Sequence, residues 1–162
     1  MSQLSLARVI HLDASDAQVY ARAAASGEWA ISGGFEFSNW GEADLVGKAR
    51  QAFANGWLGL ESFGRATLVA IAPIEADEYA RLIDRLAAHF VEIYGAPDVA
   101  TARPVAEEEL AHMAELCTGQ APNMLLAVSR ELRPAGVAEA FRLIEPDTAG
   151  LDLIASHGWP GD

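Results

Sequence analysis

Lysine is almost missing from this chain: Lys48 stands alone beside ten arginines, and these 11 cations face 23 acidic residues, for a formal net charge of -12. With cations so few and never in a run, nothing is available to displace counterions from nucleic-acid phosphates or to hold an anionic bilayer, so both partner classes are excluded. The acidic balance serves solubility and also admits a basic protein partner. Cys117 is the single cysteine. It rules out an internal disulfide and makes a reducing cytoplasm the expected home. Apolar stretches such as residues 66–74 are far shorter than the ~20 residues of a membrane span. The opening MSQLSLARVIHLD has no basic start followed by an apolar run, so no secretion signal is expected.

What is present is a globular composition, 51% hydrophobic and 21% charged over 162 residues, without repeats or polar tracts. Residues 1–146 are read as one domain and residues 147–162, which carry few apolar side chains, as a surface tail. Two-residue alternation predicts strands over residues 4–12 and 29–37, the second with a bulge at Gly33 and Gly34. Ser15 or Asp16 caps a short helix that Gly27 ends, and residues 44–54 form a second short helix stopped by Gly56. Residues 57–61 and 66–73 read as a hairpin. Residues 75–94, with Tyr79, Ile83, Leu86, Phe90 and Ile93 at steps of four and three, are a long helix closed by Gly95 and Pro97. A second long helix carries Ala106, Leu110, Met113 and Cys117 on one side; Pro104 suits a start near Thr101 and kinks a helix that starts at Asp98. Strands over 124–131 and 137–143 make a second hairpin. Because helices do not alternate strictly with strands, the fold class is α+β: a largely antiparallel sheet of about six strands against two long and two short helices.

Glycines and large rings crowd together in residues 27–64, which hold eight of the fourteen glycines, three of the four tryptophans and four of the six phenylalanines. Glycine beside aromatic rings marks unusual backbone or close approach. Trp29, Phe35, Phe37, Trp40, Trp57 and Phe63 suit either a core or pocket walls, with Glu28, Glu36, Glu61 and Arg65 as polar handles. The ligand-binding candidates are Trp29, Trp40, Trp57, Glu61 and Arg65. Trp40, in the polar run SNWGEAD, is the ring expected to stay exposed as a partner anchor.

Residues that carry chemistry elsewhere form no working constellation. GLESFGRAT at 59–67 mimics a phosphate loop, but Arg65 stands where lysine belongs and a strand, not a helix, is expected to follow. Around Ser62 the spacing is GxxSxG, against the GxSxG of a nucleophile elbow. Glu108, Glu109 and His112 share a helical face, which raises a metal alternative through Glu108 and His112, although a solvated acidic face explains them as well. His11, His89 and His157 are scattered, and Cys117 falls in an apolar stripe. No catalytic residue, metal or cofactor is assigned.

The stretches RVIHLDASD, GEWAISGGFEF, GKARQAF, GWLGLESFG and GAPD resemble an uncharacterised family of short bacterial proteins, a domain of unknown function, over residues 8 to 145. That resemblance implies an auxiliary part in assembling or regulating redox enzymes of the formate dehydrogenase type, and it lends no catalytic residues. The leading expectation is therefore a cytoplasmic accessory protein that binds another protein through its acidic helical face or the Trp40 region. A small-molecule binder or small enzyme with its pocket between the Trp29 and Trp57 strands is the alternative. Self-association as a homodimer is the default for such chains.

Overall fold

The computed structural model describes residues 4–11 and 15–145. Leu12, His157 and the tail expected from 147 onward lie outside the described residues. Seven strands form one antiparallel sheet in the order β4-β3-β2-β1-β5-β6-β7: β1 Ser5–Ile10, β2 Trp29–Ile31, β3 Trp57–Gly59, β4 Arg65–Ala66, β5 Leu68–Pro73, β6 Leu125–Arg133 and β7 Gly136–Ile144. Four α-helices accompany it: α1 Asp16–Val19, α2 Gly47–Asn55, α3 Ala76–Tyr94 and α4 Val99–Cys117. The α+β class expected from the order of elements holds. Among the described residues no helix is long and apolar enough to cross a membrane.

The α4 stripe follows its expected spacing, whereas the α3 stripe is shifted: Leu86 and Phe90 are buried as expected, Tyr79 and Ile83 are partly buried, and Ile93 is 63% exposed. In α3 the buried stripe is Leu82, Leu86, Ala87 and Phe90, and Gly95 ends the helix in the left-handed region at φ 76. In α4 it is Ala102, Ala106, Leu110, Met113 and Cys117. These stripes meet Ala7, Val9, Val69, Ile71, Leu126 and Val128 of the sheet in one core. Each large aliphatic side chain buried there contributes roughly 1.5–3 kcal/mol. Asp98 caps α4 by accepting from the Thr101 amide at 2.7 Å, so the helix starts early and Pro104 lies inside it. The Cys117 thiol is pushed up to about 12 by burial, which leaves it a packing group.

Three local expectations are corrected. The strand over 29–37 stops at Ile31, and Gly34–Phe37 form a 3-10 turn in place of a bulge. Gly33 is the cause: it sits at φ 70, and a Cβ there would lie 2.5 Å from Leu58 Cβ and 2.9 Å from Arg65 Nη1. The helix after Ser15 is a single turn, Asp16–Val19. The hairpin of residues 57–73 breaks at Thr67, whose amide and hydroxyl both donate to the Asp16 carboxylate. Only Arg65–Ala66 stay paired with β3, which adds the seventh strand, while β5 moves to the middle of the sheet beside β1 and β6.

Replacing Gly33 with Ala is expected to cost about 2 kcal/mol, from the left-handed backbone plus the clash with Leu58. Gly27→Ala is the control, because Gly27 shares a positive φ of 93 but a Cβ there meets nothing within 4 Å. Urea unfolding of both variants checks this; equal losses would show that the close approach contributes nothing.

Candidate functional site

The sheet curls until its two ends approach. Trp57 on β3 and Phe141 on β7 lie close to opposite ends of the strand order, yet their ring centroids are 5.7 Å apart. No backbone ladder joins β7 to β4, and two buried arginines bridge the gap instead. Arg130, on β6, donates from Nη2 to the Ser32 carbonyl at 2.6 Å and from Nη1 to the Phe53 and Gly56 carbonyls at 2.9 Å. Arg65, on β4, donates to the Gly56 carbonyl at 3.2 Å and the Gly33 carbonyl at 3.1 Å. The carbonyls of Ser32 and Gly56 thus accept from both guanidinium groups. Each cation has its own counterion, Glu36 for Arg65 and Glu139 for Arg130. Both also lie over the Phe37 ring, at 4.6 and 5.1 Å from its centroid. Burial pulls both guanidinium pKa values down, and the two carboxylates oppose that pull. A planar fork of donors suits this task, since one Arg head can satisfy carbonyls that converge from the end of β2, the last turn of α2 and the residue before β3.

Directly beside this seam, a cleft of about 180 Å³ opens between α4 and β7. Its polar groups are Ser32, Glu109, His112 and Glu139, and Phe35 and Val137 form apolar walls. The cross-strand pairing Arg130↔Glu139 sets Glu139 in place. Its Oε2 accepts from Arg130 Nε at 2.7 Å and from Ser32 Oγ at 2.6 Å, while Oε1 stands 4.0 Å from His112 Nε2. Glu109 and His112 reach the same cleft because three residues apart is nearly one turn of α4. Burial pushes the Glu109 carboxyl above its ordinary range; His112 opposes the shift, and Glu139 and Glu108 add to it. Among the described residues Glu109 has no hydrogen bond or ion pair. Gly34 also lines the cleft, and a Cβ there would come within 2.5 Å of Glu139 Oε2. Two carboxylates from different elements, an imidazole and a ring give the cleft a chemistry complementary to a cationic group.

The five residues expected to bind a ligand lie elsewhere, and none of them lines this cleft. Trp57 is wholly buried, and its indole N–H has no hydrogen-bond partner among the described residues. Trp29 belongs to the core; its Nε1 donates to Glu78 at 2.9 Å and Arg8 covers its ring at 3.9 Å. Arg65 faces inward as part of the seam, so the wall expected between the Trp29 and Trp57 strands is core packing. The Glu61 side chain is exposed. Its amide is fixed by Glu28, which also accepts from the amides of Ala25 and Ser62 and from the Ser62 hydroxyl, stapling the 61–62 turn to the residues before β2. Trp40, expected to stay exposed, is only partly so, with its ring against Phe37 and stacked on Phe53.

For the metal alternative, Glu108 is exposed and it is Glu109 that shares the cleft with His112. No group of three or more His, Cys, Asp or Glu side chains among the described residues is placed to hold a metal ion. Sequence reasoning missed Glu139, Arg130 and Ser32. The alternation of Val137 and Glu139 with small residues on β7 signals that they share one face, but no local spacing pairs Glu139 with His112.

A family model described as "Family of unknown function (DUF6505)" matches residues 3–162, and the chain belongs to that family. No curated protein and no solved structure matches it.

Proposed function

We propose that this is a soluble cytoplasmic accessory protein that docks a basic protein partner on the acidic face of α4, with the cleft beside that face taking one cationic group from the partner. The cleft carries the reading. At about 180 Å³ it is smaller than the ~300–1,000 Å³ pockets that enclose a coenzyme or drug-sized ligand, and it suits the head of a single side chain. Glu108, His112 and Glu115 are exposed at steps of four and three beside it, so the docking face and the cleft are continuous. The α4 face is preferred to Trp40, whose ring is already engaged by Phe37 and Phe53. The family resemblance implies an auxiliary part beside a redox enzyme, and a component of such an enzyme system is the first partner to try.

Tagged protein and its Glu108→Lys/Glu115→Lys variant, exposed to native lysate, test the proposal. The native chain is expected to retain a basic protein at low salt and to release it near 0.5 M NaCl, where the screening length is about 4 Å. The charge-reversed variant should lose at least about tenfold of that capture, as expected when charge is reversed at a docking face. Undiminished capture by the variant would remove α4 from the interface.

A further inference from the structure

We propose that the cationic group received by the cleft is specifically the guanidinium of an arginine side chain, an inference that rests on the reading of α4 as the docking face. Glu139 already spends Oε2 on Arg130 and Ser32, and its Oε1 stands at the cleft, 4.0 Å from His112 Nε2. Across from it, Glu109 holds a half-buried carboxyl with no cation paired to it. A carboxyl drawn out of water without a counterion is costly, and an incoming cation relieves that cost. The two carboxylates belong to different elements, so a planar fork of donors can serve both at once, where an ammonium acts as a compact point charge.

Phe35 and Val137 supply apolar wall, which accepts the weakly hydrated face of a guanidinium better than a strongly hydrated ammonium. The same molecule shows this chemistry twice in its interior: Arg65 and Arg130 are each buried against a glutamate and over the ring of Phe37. In the cleft, Glu109 and Phe35 repeat the carboxylate and the ring without an arginine.

The test uses full-length ¹⁵N-labelled protein titrated with the capped pentapeptide Gly-Gly-Arg-Gly-Gly and with its lysine and citrulline counterparts. The arginine peptide is expected to give saturable amide shifts centred on Ser32, Gly34, Glu109, His112 and Glu139. The lysine peptide should bind at least about fivefold more weakly, and neutral citrulline should not saturate. Glu109→Gln, a half-exposed helix position that leaves the fold intact, should weaken the arginine peptide about tenfold. Equal binding of lysine and arginine, shifts centred elsewhere, or an unaffected Glu109→Gln variant would each overturn the inference. Free arginine that binds more tightly than the peptide would assign the cleft to a metabolite and overturn the docked side chain. If partner capture depends on Glu108 and Glu115 while the peptides are not discriminated, only the guanidinium inference fails. If the peptides are discriminated while capture ignores those residues, the docking reading fails instead.

Discussion

Arg130→Leu is expected to lose about 3–5 kcal/mol, a large share of the ~5–15 kcal/mol that holds an ordinary domain together. The substitution does two things at once. It removes the Arg130 donors from the carbonyls of Ser32, Phe53 and Gly56, leaving Arg65 as donor to Ser32 and Gly56 and no arginine for Phe53. It also leaves Glu139 in a half-buried position without its Arg130 counterion. Arg130→Lys keeps the charge but cannot fork toward three carbonyls and a carboxylate, so it should recover less than half of the loss. The double variant Arg130→Leu/Glu139→Gln should be more stable than Arg130→Leu alone, because no unpaired charge remains. Urea midpoints at neutral pH measure all three. An Arg130→Leu variant within about 1 kcal/mol of the native chain, the ordinary effect of a point mutation, would show that water or backbone rearrangement closes the seam as well as the arginine does.

Glu28→Ala comes next, at about 3 kcal/mol, since it strands three amides and a hydroxyl that turn toward a single carboxylate. Burial alone would raise the pKa of that carboxyl, but hydrogen bonds from Ser62, Ala25 and Glu61 outweigh burial and hold it below the ordinary glutamate range. A depressed folded pKa has a definite consequence for pH. The contribution of Glu28 is fully present above its unfolded value of about 4.3 and disappears as pH falls through the lower folded value. Unfolding free energies of the native chain and of Glu28→Gln should therefore differ by a constant amount from pH 8 to about pH 5 and converge in stronger acid. A gap of unchanged size in progressively stronger acid would show that the carboxylate charge is not what matters at this position.

Much of this fold was legible because it is written in local periodicity. The stripe of α4 and the hairpin of β6 and β7 follow from spacing within one element, and in α3 the same spacing finds Leu86 and Phe90 but misplaces Ile93, which is exposed. What was illegible depended on partners far along the chain. Alternation over Trp29, Ile31, Phe35 and Phe37 is real, yet Gly33 turns the backbone between Ile31 and Phe35, so a period of two carries on through residues that are no longer a strand. Arg65 reads in the sequence as a polar handle for a ligand, but one sequence cannot tell a guanidinium that greets a ligand from one that greets backbone carbonyls. That choice depended on Gly56, Ser32 and Gly33 being within its reach. The cleft was half visible, in that Glu109 and His112 were read as one helical face and Phe35 as a wall. Its other half, Glu139, arrives from a strand far along the chain that is paired with β6.

The arginine seam also orders events during synthesis. Ser32, Phe53 and Gly56 leave the ribosome long before Arg130 does, so the first part of the curled sheet waits without its second arginine until β6 emerges. Contacts spanning such sequence distance are slow to form, and an unfinished sheet edge invites the wrong neighbour. Nascent chains stalled before β6 should for that reason be the form most dependent on chaperones, and the last hairpin acts as the clasp that ends that dependence.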